Sequence, residues 1–473
     1  MKPIRRHPNT HPSTIKLRII TFCLTGISLA WAASALRAAE AGENHSEAAR
    51  LQRLEAAVEQ LQKENAALKE QVGHLNQNRL APVFAVPDGK SVVSTPPEKK
   101  PIFVVPAGPE YKLVLGGFIQ GHAQFGDVSA FEGRFPGLNQ VNDRFRLRRA
   151  RINVSGEFAE DFDFKLEGDF GQGDGLSSGR TAFSGTDIFI NWHHFPEANI
   201  KVGQWKAPFG QEQLTPDTTT FIIERGLPTG AITPERQIGV QMWGKPLTNL
   251  WSEQKDLVTY YAGIFNGSGR NTSVNDNNEF MYVGRLELLP FSGKLFGQDA
   301  RLKLGGDYLS SRDEAGVNIS QTLNLKLNSD GSLTPFVLPS AGEREAWSID
   351  ASLHLGQFDL IAEYLEERVR PRTSGGAVPG FSKFKTNGYY VQGSYFVVPQ
   401  KLQAAVKWES FNPGQAADDD IKSLTAGLNY YIHGDSLKLM ADYIHTWSDF
   451  RSAHRDLGSD EFDEVILRLQ LMF

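Results

Sequence analysis

The densest group of residues that could do chemistry is a run of arginines between positions 144 and 151. The run reads RFRLRRAR, so five guanidinium groups fall within eight residues. Arginine keeps its charge at every physiological pH and can hold phosphate or carboxylate oxygens through two parallel hydrogen bonds. A protein wall built from this segment would therefore attract anions and bind them.

The apolar residues within the run predict how its arginines are oriented. Phe145 and Leu147 fall in one alternating phase, whereas Ala150 and Ile152 fall in the other. Because a charged side chain turned toward lipid costs a few kcal/mol near the midplane, we expect a β-bulge at Arg148-Arg149 that switches the phase. The residues predicted to point inward are Arg144, Arg146 and Arg148 before the bulge, and Arg149 and Arg151 after it.

The sequence leaves three uses for these arginines open. They can conduct anions through the centre of a barrel. They can be structural, since Asp163, Glu167 and Asp169 on the next strand are within reach for cross-strand ion pairs. Without a bulge, the outer ones can instead meet lipopolysaccharide phosphates at the rim.

A long segment after Lys206 offers further positive charge. It opens KAPFGQE, contains Glu224-Arg225, and is followed by Arg236. A long third loop in a sixteen-stranded barrel can fold inward and narrow the lumen. Its arginines would then line that constriction, or they would only pair with Glu212 and Glu224 to hold the loop against the wall. The candidate anion-binding residues are therefore Arg144, Arg146, Arg148, Arg149, Arg151, Lys206, Arg225 and Arg236.

Alternating hydrophobicity predicts the elements that carry these residues. In DFDFKLEGDF, residues 161–170, every even position is apolar or glycine and every odd position is charged, as in a strand with one dry and one wet face. The same period continues to the C-terminus and predicts sixteen strands. They lie near 111–126, 143–158, 161–170, 185–195, 198–206, 235–246, 256–266, 279–289, 299–311, 344–355, 357–370, 383–397, 400–412, 421–433, 435–448 and 462–473.

The connections between these strands predict a membrane barrel rather than a soluble sandwich. Short ones, such as Pro196-Glu197, alternate with long ones, such as 207–234 and 312–343, as periplasmic turns alternate with outer loops. The terminal Phe473 lies on the apolar face and resembles the signal read by the outer-membrane assembly machinery. The fold class predicted for residues 110–473 is all-β, a 16-stranded antiparallel transmembrane β-barrel.

The N-terminal part of the chain predicts export and a periplasmic extension. Residues 1–35 read as a signal peptide, with a basic start, a short apolar run and cleavage after Ala35 or Ala39. The single cysteine, Cys23, lies inside that run, which excludes disulfide chemistry from the mature chain. Residues 79–109 carry seven prolines and predict a semi-rigid linker.

Residues 46–78 predict a short α-helical coiled coil. Four heptads carry apolar residues or one asparagine at the first core position and leucine at the second. The core positions are Leu51, Val58, Asn65 and Val72, and Leu54, Leu61, Leu68 and Leu75. We expect this coil in the periplasm, where it either trimerises the chain or reaches the peptidoglycan.

Three segments resemble the phosphate-selective porin O and P family. They are FRLRRARI from Phe145, GQWKAPFGQE from Gly203 and RQIGV from Arg236. The resemblance implies a trimeric sixteen-stranded barrel in the bacterial outer membrane, which conducts phosphate or polyphosphate past an arginine ladder and a lysine cluster. It assigns the arginines of 144–151 to that ladder and Lys206 to the start of the constriction loop. This chain departs from the family in having no dense lysine cluster.

The expected function is passive diffusion of small hydrophilic solutes through the outer membrane, with phosphate or another small anion favoured. The expected partners are therefore such anions, membrane lipid and lipopolysaccharide. A weakly selective or sugar-type porin and a structural envelope tether are the alternatives. The net charge of −6 argues against nucleic acid as a partner. His193-His194 lacks metal-ligand spacing to other candidates, so we expect neither an enzyme, nor a metal, nor a cofactor.

Overall fold

The computed structural model describes residues 103–105, 111–138, 140–171, 183–320, 325–372 and 380–473. The predicted signal peptide and coiled coil and most of the predicted linker lie outside these residues. Within them, sixteen antiparallel strands form one closed barrel, as the alternation of the sequence predicts.

The barrel strands are numbered here β1 to β16 in chain order. Their bounds are β1 Tyr111–Gly126, β2 Arg144–Phe158, β3 Phe162–Asp169, β4 Ser184–Phe195, β5 Ala198–Lys206, β6 Arg236–Gly244, β7 Val258–Phe265, β8 Met281–Leu295, β9 Gln298–Asp313, β10 Gly342–Leu355, β11 Phe358–Pro371, β12 Phe384–Val398, β13 Leu402–Asn412, β14 Ile421–His433, β15 Leu437–Ser448 and β16 Glu461–Met472.

The ring closes between its first and last strands. β16 pairs antiparallel with β1, with Met472 opposite Phe118. The C-terminal residue extends this seam, because the Gly117 amide donates to the Phe473 carbonyl at 3.0 Å and the Phe473 amide donates back at 3.1 Å. A three-residue strand, Phe103–Val105, also pairs with the beginning of β1.

The barrel is polar inside and apolar outside. Along β16, Glu464, Arg468 and Gln470 are buried, whereas Leu467 and Leu469 between them are exposed. The same alternation on the other strands gives an apolar belt around the barrel. None of the helices in the described ranges is long and apolar enough to cross a membrane.

Long connections lie at one end of the barrel, the loop end, and short ones at the other, the turn end. The alternation is not strict, because the β6–β7 connection at the turn end spans 245–257 and contains the 3₁₀-helix Ser252–Gln254. The long third connection, residues 207–235, is called loop L3. It contains two short helices, α1 Gln211–Leu214 and α2 Leu227–Ile232.

The remaining loops pack together over part of the loop end. Phe135 of the first loop stacks on Phe462 with their centroids 4.6 Å apart. The buried Arg451, in helix α3 Asp449–Ala453, donates to the carbonyls of Ser459 and Asp330 at 2.7 and 2.9 Å. One guanidinium therefore joins the eighth loop to the fifth. The other short elements are the 3₁₀-helices Ala130–Glu132 and Arg455–Leu457, and the paired strands Lys326–Leu327 and Leu333–Thr334.

Candidate functional site

The predicted β-bulge is present in β2 and is centred on Arg148. Gln120 of β1 pairs with Arg149, and the next residue, Gly121, pairs with Leu147, so Arg148 has no partner on β1. The extra residue lets two consecutive arginines face the lumen. Phe145, by contrast, is 85% exposed on the outer face.

The arginines of β2 point inward on both sides of the bulge, as predicted. Arg146, Arg148, Arg149 and Arg151 are between 5% and 8% exposed, and Arg144 is partly buried. Because their guanidinium groups are covered by protein, the alternative that Arg146 to Arg151 meet lipopolysaccharide at the rim is excluded. We call these five residues the arginine wall.

Loop L3 crosses the lumen and places two carboxylates on the arginine wall. Glu224 accepts from Arg148 at 2.7 Å to Nε and 3.1 Å to a terminal nitrogen. A terminal nitrogen of Arg468, on β16, lies 3.5 Å from the same carboxylate, and Nδ1 of His122 lies 3.7 Å away.

Asp217 is the second carboxylate of L3 on this wall. Its oxygens lie 3.3 Å from Arg149, 2.8 Å from Arg151 and 2.6 Å from Arg225, which is itself part of L3. Arg151 is also paired with Asp169 on β3 at 2.9 Å. The cross-strand ion pair predicted as a structural use is thus present.

The two ends of the arginine wall differ in how their charge is compensated. The side chain of Arg146 makes no hydrogen bond or ion pair with any residue in the described part of the chain, and its Nε is buried without a partner. Arg144 donates only to neutral groups, at 2.7 Å to the side-chain oxygen of Gln124 and at 3.4 Å to the hydroxyl of Ser129. Positive charge is therefore least compensated toward the loop end.

Three other predicted residues have protein partners. The Lys206 ammonium donates to the carbonyls of Gln213 at 2.7 Å and Thr215 at 3.3 Å, and Arg225 donates to the Thr215 carbonyl at 2.7 Å. Arg236 donates to Asp187 of β4 at 2.8 Å. Lys206 and Arg225 therefore stabilise the loop, whereas Arg236 is paired with the barrel wall.

The opposite wall of the barrel fixes L3 through carboxylates that accept from its backbone amides. These contacts run from the start of the loop to helix α2 and use acids of four strands. They are Gly210 to Asp307 at 3.0 Å, Gln211 and Glu212 to Glu363 at 2.8 and 3.1 Å, Ile223 to Asp442 at 2.7 Å, and Leu227 to Glu409 at 3.3 Å. The acids of this wall are therefore occupied by the loop.

Wall side chains also donate to L3 carbonyls. Gln470 donates to Thr218 at 3.0 Å, Lys438 to Thr220 at 3.1 Å and Asn429 to Phe221 at 2.8 Å. With both its amides and its carbonyls bonded, the middle of L3 is held in one position across the lumen. Part of the space that L3 leaves open lies on the side of the arginine wall.

Two cavities lie along that open side. The larger, about 620 Å³, extends from Lys112 near the turn end up to L3. A smaller one of about 40 Å³ lies among Arg148, Arg149 and Glu224. Arg151, Asp217 and Arg236 line both cavities and so lie where the two cavities adjoin.

Comparison with known proteins identifies the family of this barrel. The family described as phosphate-selective porin O and P matches residues 120–473, which is well over half of the chain. The chain belongs to the porin O and P family. Porin O of Pseudomonas aeruginosa is 22% identical over 420 residues, which cover 77% of this chain and 89% of that protein.

Solved structures share the fold at low sequence identity. The outer-membrane channel DcaP of Acinetobacter baumannii has a TM-score of 0.50 at 14% identity, covering 78% of this chain and 99% of that one. OmpT of Vibrio cholerae has a TM-score of 0.50 at 11% identity, covering 78% of this chain and 100% of that one. Family and fold together make this protein a passive channel of the bacterial outer membrane rather than an enzyme.

Glu224 and Asp217 of L3 are charged at neutral pH in this porin. Burial raises the pKa of Glu224, but Arg148, Arg149 and Arg468 outweigh burial and hold that pKa well below its ordinary value. The pKa of Asp217 is lowered in the same way, by Arg149, Arg225, Lys206 and Arg151 against the effect of burial. The constriction of this porin therefore contains fixed charges of both signs.

A buried acidic cluster on the far wall of the porin is partly compensated by a cation of the protein. Asp307, Asp350 and Glu363 lie close enough to one another to hold a metal ion. Arg285 lies 2.8 Å from both Asp307 and Asp350, and amides of L3 donate to Glu363. One guanidinium and two amides therefore share this cluster of three acids.

Sequence reasoning missed His122 and Asp217, and it recognised Arg468 only as one inward residue among many. The polar residues Gln120, His122 and Gln124 alternate along β1, so their inward orientation was readable from the sequence. Asp217 carries no comparable signal, because it lies in a loop without periodicity.

Proposed function

We propose that this porin conducts small anions, with phosphate as the representative solute, along the arginine wall. One observation carries the proposal: Arg146 is 8% exposed and has no protein partner among the described residues. An uncompensated buried charge is costly. An oxyanion that passes between L3 and β2 would compensate it.

The arrangement of charges supports transport as well as attraction. A basic wall beside a narrow, protein-lined passage concentrates anions locally. The carboxylates Asp217 and Glu224 then limit how tightly an anion is held, because conduction requires binding that is weak enough for release. On the far wall, Asp307, Glu363 and Asp442 accept from the L3 backbone and so face the loop rather than the arginine wall.

The test is the reversal potential of single channels in a potassium chloride gradient. We expect the wild-type porin to prefer chloride over potassium and Arg146→Gln to reduce that preference. Arg370→Gln is the matched control, because Arg370 is paired with Glu345 at 2.7 Å on the outer face of the barrel, away from the lumen. A preference of the wild-type channel for potassium would contradict the proposal.

A weakly selective porin is the second candidate, and one observation favours it. Arg148, Arg149 and Arg151 each have a carboxylate partner, so much of the basic wall is neutralised. Phosphate added to a chloride bath separates the two functions. An anion-specific channel shows a chloride current that phosphate blocks with saturation, whereas a weakly selective one shows only a proportional change.

We propose a homotrimer for the assembled porin, with residues 46–78 forming a coiled coil in the periplasm. The heptad pattern of the sequence supports the coil. A variant that lacks residues 46–109 should be compared with the full chain by mass measurement in detergent and by co-sedimentation with peptidoglycan. Loss of the trimer would assign the coil to assembly, and loss of co-sedimentation would assign it to cell-wall attachment. An unchanged trimer and unchanged co-sedimentation would contradict both roles.

We further propose that the outer surface binds membrane lipid and lipopolysaccharide. The apolar belt of exposed residues such as Leu467 and Leu469 supports the lipid contact. Native mass spectrometry of the porin extracted in mild detergent tests it, and the absence of bound lipopolysaccharide would contradict that part.

A further inference from the structure

The Glu224 carboxylate occupies a position whose contacts would also suit an anionic solute. Its two carboxylate oxygens receive Arg148 in a two-point contact at 2.7 and 3.1 Å, the geometry in which arginine also binds phosphate and carboxylates. Arg468 lies 3.5 Å away on the other side. The side chain is only 7% exposed, so little water screens these contacts.

Two guanidinium groups near Glu224, those of Arg468 and Arg146, have few other partners among the described residues. Both terminal nitrogens of Arg468 are buried without a hydrogen bond, and its Nε donates to Nε2 of His122 at 2.7 Å. Arg146 is two residues from Arg148 on the same wall, and its Nε is buried without a partner. Without the Glu224 carboxylate, these two guanidiniums would face the lumen with little compensation.

We infer that Glu224 is an internal competitor of the transported anion: its carboxylate occupies Arg148 and Arg468, and a passing oxyanion must displace it. The inference rests on the proposed anion transport and names Glu224 as the residue that sets the affinity of the lumen for the transported anion. Glu224 thereby weakens the binding of the anion and speeds its release. Loop L3 acts as the tether that keeps this competitor at a high local concentration.

The backbone of L3 does not depend on the Glu224 side chain for its position. The adjacent amide of Ile223 donates to Asp442 at 2.7 Å, and the Phe221 carbonyl accepts from Asn429 at 2.8 Å. Glu224→Gln keeps the shape of the side chain and removes its charge. The substitution therefore tests the competition rather than the fold of the loop.

The experiment measures the concentration of inorganic phosphate that half-blocks the chloride current of single channels. We expect Glu224→Gln to lower this concentration about tenfold, equivalent to ~1.4 kcal/mol, and to raise the preference for chloride over potassium. The maximal phosphate current should fall, because a more tightly held ion leaves more slowly. Glu224→Asp retains the carboxylate and should stay close to the wild type.

Glu345→Gln is the matched control for charge. It also removes one carboxylate from an arginine pair, with Arg370 at 2.7 Å, but on the outer face, and it should leave phosphate block unchanged. An equal effect of Glu345→Gln, or a half-blocking concentration that Glu224→Gln leaves unchanged or raises, would overturn the inference. Phosphate block of the wild type with no response to Glu224→Gln would refute the competitor role alone, whereas a cation-selective wild type would refute the proposed function.

Discussion

At the scale of single residues, the arginines of one wall differ in what compensates their charge. Arg151 has three carboxylates within 4 Å, those of Glu167, Asp169 and Asp217. Arg146, three positions before Arg149 in the chain, has no carboxylate within this distance among the described residues. The same residue type on the same strand is thus a paired structural cation at one position and a cation without a carboxylate partner at the other.

This difference predicts opposite effects on stability. Arg151→Gln leaves Asp217 and Asp169 without their main cation, and breaking a buried ion pair in this way costs ~3–5 kcal/mol. Arg146→Gln removes a buried charge that has no partner, so the folded barrel should be equally or more stable. The urea concentration at half-unfolding, measured in detergent by intrinsic fluorescence, checks both, and equal losses would contradict the assignment.

Glu224 and Asp217 of L3 should keep their charge in mild acid. A carboxyl group with a lowered pKa in the folded state stabilises that state above its unfolded pKa, and the stabilisation is lost only as the pH falls through the lowered value. For Glu224 and Asp217 that value lies well below the ordinary 4.5 and 3.8. The contribution of these two carboxylates to ion selectivity should therefore be constant from about pH 8 down to about pH 5.

The measurement is the reversal potential of the wild type and of the Glu224→Gln channel at both pH values. The difference between the two channels reports the charge of Glu224 and should be the same at both. A difference that disappears at the lower pH would mean that Glu224 becomes neutral there, which would contradict this prediction.

At the scale of elements, the bulge in β2 is what places consecutive arginines in the lumen. Arg148 is the extra residue, and the residues on both sides of it keep their alternation. The sequence revealed this because Leu147 and Ala150 cannot both face lipid in an unbroken strand. A β-bulge at Arg148-Arg149 lets both apolar residues face lipid while the arginines face the lumen, so the sequence predicts it.

Deletion of Arg148 tests the bulge. We expect the shortened strand to pair without interruption, with Arg146 and Arg149 still inward, and the barrel to fold normally. Deletion of Ile152 is the control, because it removes a regular position and turns part of β2 over. The fraction of protein that migrates as a folded barrel on unheated gels should fall for the Ile152 deletion only; a similar fall for both would contradict this interpretation.

The sequence predicted the strands well and the position of L3 poorly. Strand bounds follow from local alternation, and the largest deviation is β8, which continues to Leu295 rather than ending near 289. The position of L3 depends instead on carboxylates that accept hydrogen bonds from its amides, such as Glu363 and Asp442. These residues lie more than 150 positions away in the chain. No local pattern encodes such pairs, so the sequence could predict that the loop folds inward but not which wall it binds.

At the scale of the whole molecule, the seam between β1 and β16 decides whether the barrel is closed. A methyl group at Gly117 would lie 2.3 Å from the Arg151 carbonyl and 2.8 Å from the Phe473 ring. The backbone of β2 and the terminal aromatic ring thus leave room only for glycine there. Four residues further along the same face, Gly121 has no neighbouring atom within 4 Å of such a methyl.

Gly117→Ala should therefore impair closure, and Gly121→Ala should not. Forcing a methyl into a packed site costs ~1–3 kcal/mol, which is enough to lower the yield of folded barrel in the outer membrane. Quantifying heat-modifiable protein in membrane fractions compares the two variants directly. Equal yields would show that the seam adjusts without cost.

The bulge at Arg148 also bears on how such channels diversify. Inserting one residue into a barrel strand normally moves the side chains that follow it to the opposite face, so that charged side chains then point toward lipid. Where the extra residue forms a β-bulge, as Arg148 does in β2, the insertion instead adds one charged side chain to the lumen. The membrane-facing surface stays as it was. A new selectivity is then one short mutational step away, with no second change needed to repair the fold.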